Sequence, residues 1–496
     1  MVTVEDFGGF LVVILCLSVP LSAILAVVIR SRYRKAVSHF MMAHSGAPET
    51  AFDVPPPAHP NSAALEFDVM PMARRPPLRF ALAGRYLLSG LVFAALTTTV
   101  LFFVGGIEFA RYRFTIMTAV FALPAVVMAL YVCGLRWYLV ILVSAGMGLF
   151  LYGLEPVTGG LMLTWVAPAC LLAVIVGNPL LRTTAIPLFM IVALLLVVAY
   201  LSVHLLLYAV DRGALNFLLS YLSVGVVKAI YLFLMFALMI ATGFVFTKVV
   251  AGVVARMAAG SSEFMMQHDL LWLFQAVWMV AFSWPSDGPA VTMHLLPLGA
   301  YRAVLWLTRP RGPAREINLL LRVFGHRKRQ TGLARSMLLG WRMEGPLLLI
   351  GSADLATETL DGPELSAFLN RRLSDIFIDS PEDLAEACNI DDTRLGDGLF
   401  PVYDDYCRDN SWRPTVLTLM SRARRVLVDM RGFQEVNSGI RYEIRALAER
   451  VPAERIIVIV EPDAVQGVEA LFSQAWSEAG SGTGCDRISF RVDSKA

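Results

Sequence analysis

The sequence predicts a helical membrane bundle of about seven spans followed by a C-terminal three-layer α/β domain on a mainly parallel sheet. Three observations carry this. The 496-residue chain is 57% hydrophobic and only 17% charged, with a mean hydropathy of +0.63, whereas soluble domains carry about 25% charge. The apolar excess is confined to residues 1–310, in long runs with short polar gaps. Beyond them the composition is that of a globular domain, in which short Val/Ile-rich runs alternate with amphipathic helical stretches. A formal net charge of +2 points to no nucleic-acid partner and no acidic substrate.

Residues 1–30 hold the first span. Phe10 to Ile29 is long enough to cross a hydrocarbon core of roughly 30 Å. Glu5 and Asp6 precede it, and Arg30, Arg32, Arg34 and Lys35 follow. A cleaved signal peptide needs the reverse charge order, so an uncleaved span with its N-terminus outside is expected. Residues 31–79 are polar and proline-rich (Pro55-Pro56-Pro57, Pro76-Pro77) and read as a cytosolic linker. Residues 80–250 carry six further apolar runs, near 86–106, 114–133, 137–154, 160–179, 184–209 and 218–247. With the N-terminus outside, the inner gaps hold Arg136 and Arg182, and the last span leaves inward at Lys248 and Arg256, as the positive-inside rule requires. Glu108, Glu155 and Asp211 fall in the outer gaps. This predicts a multi-pass membrane protein with a cytoplasmic C-terminal domain.

Residues 251–313 contain Trp272, Trp278, Trp284 and Trp306 in two runs short for spans, which suggests an interfacial or hairpin segment. Lys228 and His204 are the ionisable groups within the runs; snorkelling to the headgroups explains both as well as a transport path does. Six cysteines form no CxxC pair and seven histidines no HExxH pair, so no protein-bound metal and no disulfide framework are expected.

Residues 314–345, with Arg327-Lys328-Arg329, read as a helical connector. In the domain at 346–496, strands are predicted at Leu347–Gly351, Ile376–Ile378, Arg425–Met430, Ile456–Val460 and Ile488–Val492, and helices at 363–374, 381–388, 411–423, 440–451 and 464–478. Val/Ile strands separated by helices form a parallel sheet covered on both faces, here a flavodoxin-like one. Ligands of such sheets bind at the carboxyl ends of the strands. Three loops there supply candidates: Ser352 and Asp354; Asp429, Arg431, Asn437 and Ser438; and Glu461-Pro462-Asp463. GxGxxG and GxxxxGK[ST] are both absent, so no tightly bound cofactor is expected.

On the predicted helix at 440–451, Ile440, Ile444, Leu447 and Val451 form the buried stripe. Glu443 stands roughly 75° from its centre at 100° per residue. A carboxylate there suits ligand binding or catalysis; it could equally complement the helix dipole or pair with Arg441. A second cluster, Arg408, Asp409, Asn410 and Trp412, suits a phosphate, a ribose and a base face, although a helix cap with a salt bridge explains it as well. Cys407 has no histidine beside it to activate the thiol.

The stretch from Ser421 to Gly432, running on through Asn437-Ser438-Gly439-Ile440-Arg441-Tyr442-Glu443-Ile444, resembles the strand, acidic turn and G-x-x-Y/W-E-L/I segment of TIR-like and nucleoside 2-deoxyribosyltransferase-like domains. Leu348-Leu349-Ile350-Gly351-Ser352 resembles their first strand and loop. The resemblance implies that Glu443 contacts the ribose at a glycosidic bond, as nucleophile or acid. It further implies that NAD or another nucleotide is ligand or substrate, that the domain self-associates, and that the protein serves bacterial stress or phage-defence signalling. The serine-rich run leading to Trp-Cys that marks the better-known TIR enzymes is missing, which sets NAD cleavage apart from the fold. A non-catalytic nucleotide sensor or scaffold, or a transporter gated by the soluble domain, are the other function classes the sequence accommodates.

Overall fold

The computed structural model describes residues 4–43, 62–71, 76–104, 110–133, 137–154, 262–287, 293–314, 316–322, 333–351, 370–433, 438–479 and 482–493, with short pieces elsewhere. The chain forms two compact units, one of Met1–Ile29 and Arg79–Thr308, the other of Arg30–Leu78 and Arg309–Ala496.

The first unit is helical. Helix α1 (Val4–Met42) begins in it, and α2 (Pro76–Val104), α3 (Arg111–Val132), α4 (Trp137–Leu154), α5 (Glu263–Asp287) and α6 (Leu296–Thr308) follow. Among the described residues, two helices are long and apolar enough to cross a membrane, Phe80–Phe103 and Arg111–Val132, with a shorter apolar helix at Tyr138–Met147. That is two spans where about seven were expected. The runs at 160–179, 184–209 and 218–247, with His204 and Lys228, lie largely or wholly outside the described residues. Large apolar side chains such as Phe103, Leu142, Leu149 and Phe150 face outward, an arrangement suited to lipid rather than water.

The tryptophan-rich segment holds α5 and α6; α5 is one continuous helix, and its Trp272 and Trp278 are fully buried in the bundle. Trp272 lies against Phe93 with ring centres 4.4 Å apart. Gly90 permits the approach, since a Cβ there would stand 2.9 Å from Trp272 and 2.4 Å from Ala125. Asp269 pairs with Arg302 at 2.5 Å, which offsets the cost of burying the carboxylate.

The second unit is an eight-stranded, wholly parallel sheet. Its strands are β1 (Ser62–Pro71), β2 (Asn318–Arg322), β3 (Leu347–Gly351), β4 (Phe377–Ile378), β5 (Val402–Cys407), β6 (Arg425–Asp429), β7 (Ile456–Val460) and β8 (Gly482–Val492), in the order β1-β8-β7-β6-β2-β3-β5-β4. Helices α7 (Leu333–Glu344), α8 (Pro381–Ala387), α9 (Trp412–Arg422), α10 (Ser438–Arg450) and α11 (Val465–Ala479) complete it. Side-chain alternation divides the core in two. Leu319, Leu321, Leu348, Val426, Val428, Val458 and Val460 pack with Leu384, Val416, Leu447 and Phe472 of α8 to α11. Leu320, Leu347, Leu349, Leu427 and Ile459 face the other way, against Trp341 of α7. Three layers result, as predicted.

Three strands were not predicted, and they turn the flavodoxin-like expectation into a larger sheet. The supposed connector at 314–345 contains β2, at the centre of the sheet between β3 and β6. Its Leu319-Leu320-Leu321 run is buried on both faces, which erases the alternation that marks a half-buried strand. The supposed linker at 31–79 contains β1, which pairs with β8 over Ser62–Pro71. Leu65 and Phe67 turn inward while Ala64 and Glu66 face out, and Phe67 meets Phe490 at 4.8 Å. The same stretch contains the end of α1, where Tyr33 and Val37 are buried against Phe377 and Tyr406. Strand β5 was missed because Asp404 and Asp405 interrupt its apolar pattern.

Residues 314–496 alone would therefore lack an edge strand and a packing helix. That segment is expected to be less stable than the same sheet in the full chain by about 3 kcal/mol or more, and to self-associate through the bared β8 edge. Melting curves and size-exclusion chromatography of the two proteins check this.

Candidate functional site

The chain leaves β2 toward β3 through α7 on one face, and leaves β6 toward β7 through α10 on the other. Two adjacent strands whose connections diverge open a crevice at their carboxyl ends. Here those ends are Arg322 and Asp429, which are register partners. The turn after β6 uses Gly432 at φ 72°, a left-handed conformation that glycine adopts without strain.

Around that turn the adjacent strands β6, β7 and β8 each end in an acid: Asp429, Glu461 and Asp493. Arg431 lies among them, with a side chain only 3% exposed. Its Nε donates to Asp429 Oδ1 at 2.8 Å and its Nη2 to Asp429 Oδ2 at 2.7 Å. Its Nη1 donates to Asp493 Oδ2 at 3.2 Å, and the Gly432 amide reaches Glu461 Oε2 at 3.4 Å. Burial works against the Arg431 charge, but the bonds to Asp429 and then Asp493 outweigh it and raise its pKa. Asp429 and Arg431, expected among ligand contacts, thus satisfy each other. Among the described residues, no three His, Cys, Asp or Glu side chains are placed to hold a metal ion.

Glu443 lies in α10 and is buried, 4% exposed. Its Oε2 has no hydrogen-bond partner among the described residues. Burial pushes its pKa up from 4.5 to about 8, because an ion without compensation is disfavoured in a low-dielectric setting. The sequence put it at the edge of the core, and it is more deeply buried than that. Tyr442, the residue before it in α10, meets Trp412 of α9 edge-on at 5.4 Å. Glu443 sits about 7 Å along the helix from Ser438, by the rise of 1.5 Å per residue. Arg413 covers both rings, 5.5 Å from Trp412 and 5.1 Å from Tyr442. Trp412, Arg413 and Tyr442 therefore form one cluster at the carboxyl side of the sheet, and Glu443 follows Tyr442 in α10.

The other expected contacts divide. Ser352, Asp354 and Asn437 lie outside the described residues, and Ser438 opens α10 with its side chain not described. Arg408, expected to meet a ligand, is engaged elsewhere. Its Nε and Nη2 clasp the two Asp379 oxygens, the latter at 2.6 Å, and its Nη1 reaches the Phe40 carbonyl at 3.4 Å. The Asp409 amide donates to Met41 O at 3.0 Å. Together they cap the carboxyl end of α1, where cations and N–H donors are favourable. Asn410 belongs to the same turn, and Ser411 Oγ donates to Ile378 O at 2.7 Å instead of capping α9. Burial pushes the Cys407 thiol up to about 12, so it is inert at neutral pH.

Sequence reasoning had Glu461 in a candidate loop and Tyr442 in the resembling motif, and missed Asp405, Arg413 and Asp493 as groups of interest. The recurrence of an acid at the end of three strands was a visible signal for Asp493. Asp405 was not readable, because only the pairing of β5 between β3 and β4 buries it. Burial raises its pKa from 3.8 to about 7. The folded chain then holds a proton that the unfolded chain releases near 3.8, so stability falls as pH rises through this window and levels off above about 7. Asp405→Asn is expected to raise the melting temperature above that window and leave it nearly unchanged below it. Melting curves at the two ends of the window check this.

Searches of family models, of curated proteins and of solved structures find no match to this chain.

Proposed function

We propose that the α/β unit binds a nucleoside or nucleotide derivative in the crevice at the carboxyl ends of β2 and β6, and that Glu443 is the acid that cleaves its N-glycosidic bond. The observation that carries this reading is Glu443 itself, a buried carboxyl with an unpartnered oxygen, next in sequence to the Tyr442 that packs on Trp412. The aromatic faces suit a base, and Arg413 suits a phosphate. The TIR-like and deoxyribosyltransferase-like resemblance of Gly439 to Ile444 agrees with it.

A carboxyl that stays protonated near neutral pH is a proton donor. Glu443 gives its proton to the departing base, the bond from the sugar to that base breaks, and water adds at the sugar carbon and returns a proton to the carboxylate. A neutral purine or pyrimidine leaves far more readily once protonated, whereas the pyridinium of NAD departs as a neutral base without a proton. The acid form of Glu443 therefore favours nucleosides over NAD as substrate.

In the same reading the helical unit is a multi-pass anchor of about seven spans in a bacterial inner membrane, with its N-terminus outside and the α/β unit cytoplasmic. The apolar runs and the Arg136, Arg182 and Lys248 bias support it. Self-association and a role in stress or phage-defence signalling rest on the resemblance alone.

The test uses the full chain in lipid nanodiscs, incubated with a nucleoside panel, NAD, NADP and ATP, with release of free base followed by chromatography. Wild type is expected to release base, and Glu443→Gln at least about 10²-fold less. A thermal shift with one nucleotide and no release would make the unit a sensor instead.

A further inference from the structure

The opposite edge of the sheet carries a second cleft that the reading above does not use. It has a volume of about 570 Å³ and is lined by Glu316, Arg422, Arg424, Arg425, Glu454 and Arg455, among others. These residues lie at the amino ends of β2, β6 and β7, and the volume falls within the usual range for small-ligand sites, about 300–1,000 Å³.

The guanidinium groups are not equally engaged. Arg425 is held by Glu316 at 2.7 Å and Glu344 at 2.8 Å. Arg422 gives one nitrogen to the Cys388 carbonyl at 2.9 Å. Arg424, 68% exposed, has only a long 3.6 Å contact with Glu316. The Arg455 side chain makes no ion pair or hydrogen bond among the described residues. With Glu344 counted as the second partner of Arg425, four arginines stand against three glutamates, one positive charge in excess, and the two least engaged groups are Arg424 and Arg455.

We infer that this cleft is a binding site for a phosphate-bearing anion, held by Arg424 and Arg455 while Glu316 keeps Arg425 in place as its wall. A phosphate monoester or a diphosphate matches the paired N–H geometry of the two guanidinium groups. A phosphate offers three oxygens to the pair where a carboxylate offers two. The phosphate can belong to a free solute or to a lipid headgroup, and both present the same chemistry to the cleft.

The probe is sodium pyrophosphate, titrated calorimetrically at low ionic strength into the full chain in phosphatidylcholine nanodiscs. Binding is expected, weakened about tenfold by Arg424→Gln and by Arg455→Gln separately. Both positions are exposed, so melting curves should match wild type. Arg372→Gln removes the same charge from an exposed pair with Asp375 and should leave binding unchanged. Repeating the titration with phosphatidylglycerol in the disc distinguishes the sources. Unchanged affinity assigns the cleft to a free phosphate. Competition, with less phosphatidylglycerol retained by the two variants in native mass spectrometry, assigns it to a headgroup. The inference is overturned by an absence of pyrophosphate binding together with arginine-independent lipid retention. Binding insensitive to Arg424 and Arg455, or lost equally with Arg372→Gln, overturns it too.

Discussion

Arg431→Met is expected to destabilise the α/β unit by about 3–5 kcal/mol, the usual penalty for removing one partner of a buried ion pair. Asp429, Arg431 and Asp493 are all at or below 5% side-chain exposure. Without the guanidinium, two carboxylates at the ends of β6 and β8 lose their counter-charge while water remains excluded. Either they take up protons or the strand ends open to solvent, and both cost stability. For a domain of this size the loss corresponds to a fall in melting temperature of roughly 10 °C or more. Arg431→Lys keeps the charge but loses the two parallel bonds to Asp429, so it should fall in between. Adding Asp429→Asn and Asp493→Asn to Arg431→Met should recover much of the loss, since no unpaired charge is then buried. Urea denaturation of the four proteins measures the order; equal stability of wild type and Arg431→Met would sink the account.

The second large effect is at Glu443, and its sign is opposite. The folded state holds the Glu443 proton up to about 8, while the unfolded chain releases it near 4.5. The folded state thus binds more protons throughout that window, and stability declines as pH rises from 4.5 toward 8 and levels off beyond. At about 1.4 kcal/mol for each tenfold change in proton affinity, the full decline is on the order of 5 kcal/mol. Glu443→Gln keeps the shape and removes the ionisation. It should match wild type in stability near the acid end of the window and exceed it by several kcal/mol at the alkaline end, with a flatter pH profile between. A protein that becomes more stable and loses base release has exchanged function for stability at one residue, as strained catalytic groups do. A Glu443→Gln variant that loses stability at all pH values would mean the carboxylate is paired in the fold and is no proton donor.

What was readable in advance follows a physical line. Strands β3, β4, β6, β7 and β8 announce themselves by short Val, Ile and Leu runs bounded by turn residues, and the helices between them by an apolar stripe. These are local signals, since the residues that form an element also carry its pattern. The Glu443 flank was legible for the same reason, because helical periodicity alone fixes which residues share a face. Strands β1, β2 and β5 needed partners distant in sequence. Glu66 pairs with Arg487 across 421 residues, and no local pattern in a proline-rich stretch foretells that.

Composition and periodicity by themselves determined the division into an apolar helical part and a parallel α/β part, the face that α10 buries, and the position of Glu443 beside the core. Only the tertiary structure decided that the sheet joins eight strands among the described residues and that β1, which precedes α2 to α6 in the chain, is one of them. It also decided that Arg408 closes the end of α1, that Arg431 is locked between Asp429 and Asp493, and that Glu443 holds its proton near neutral pH. The reason is the same in each case. Backbone conformation follows from neighbours along the chain, whereas burial, pairing and protonation depend on which distant groups exclude water from a side chain and which answer its charge.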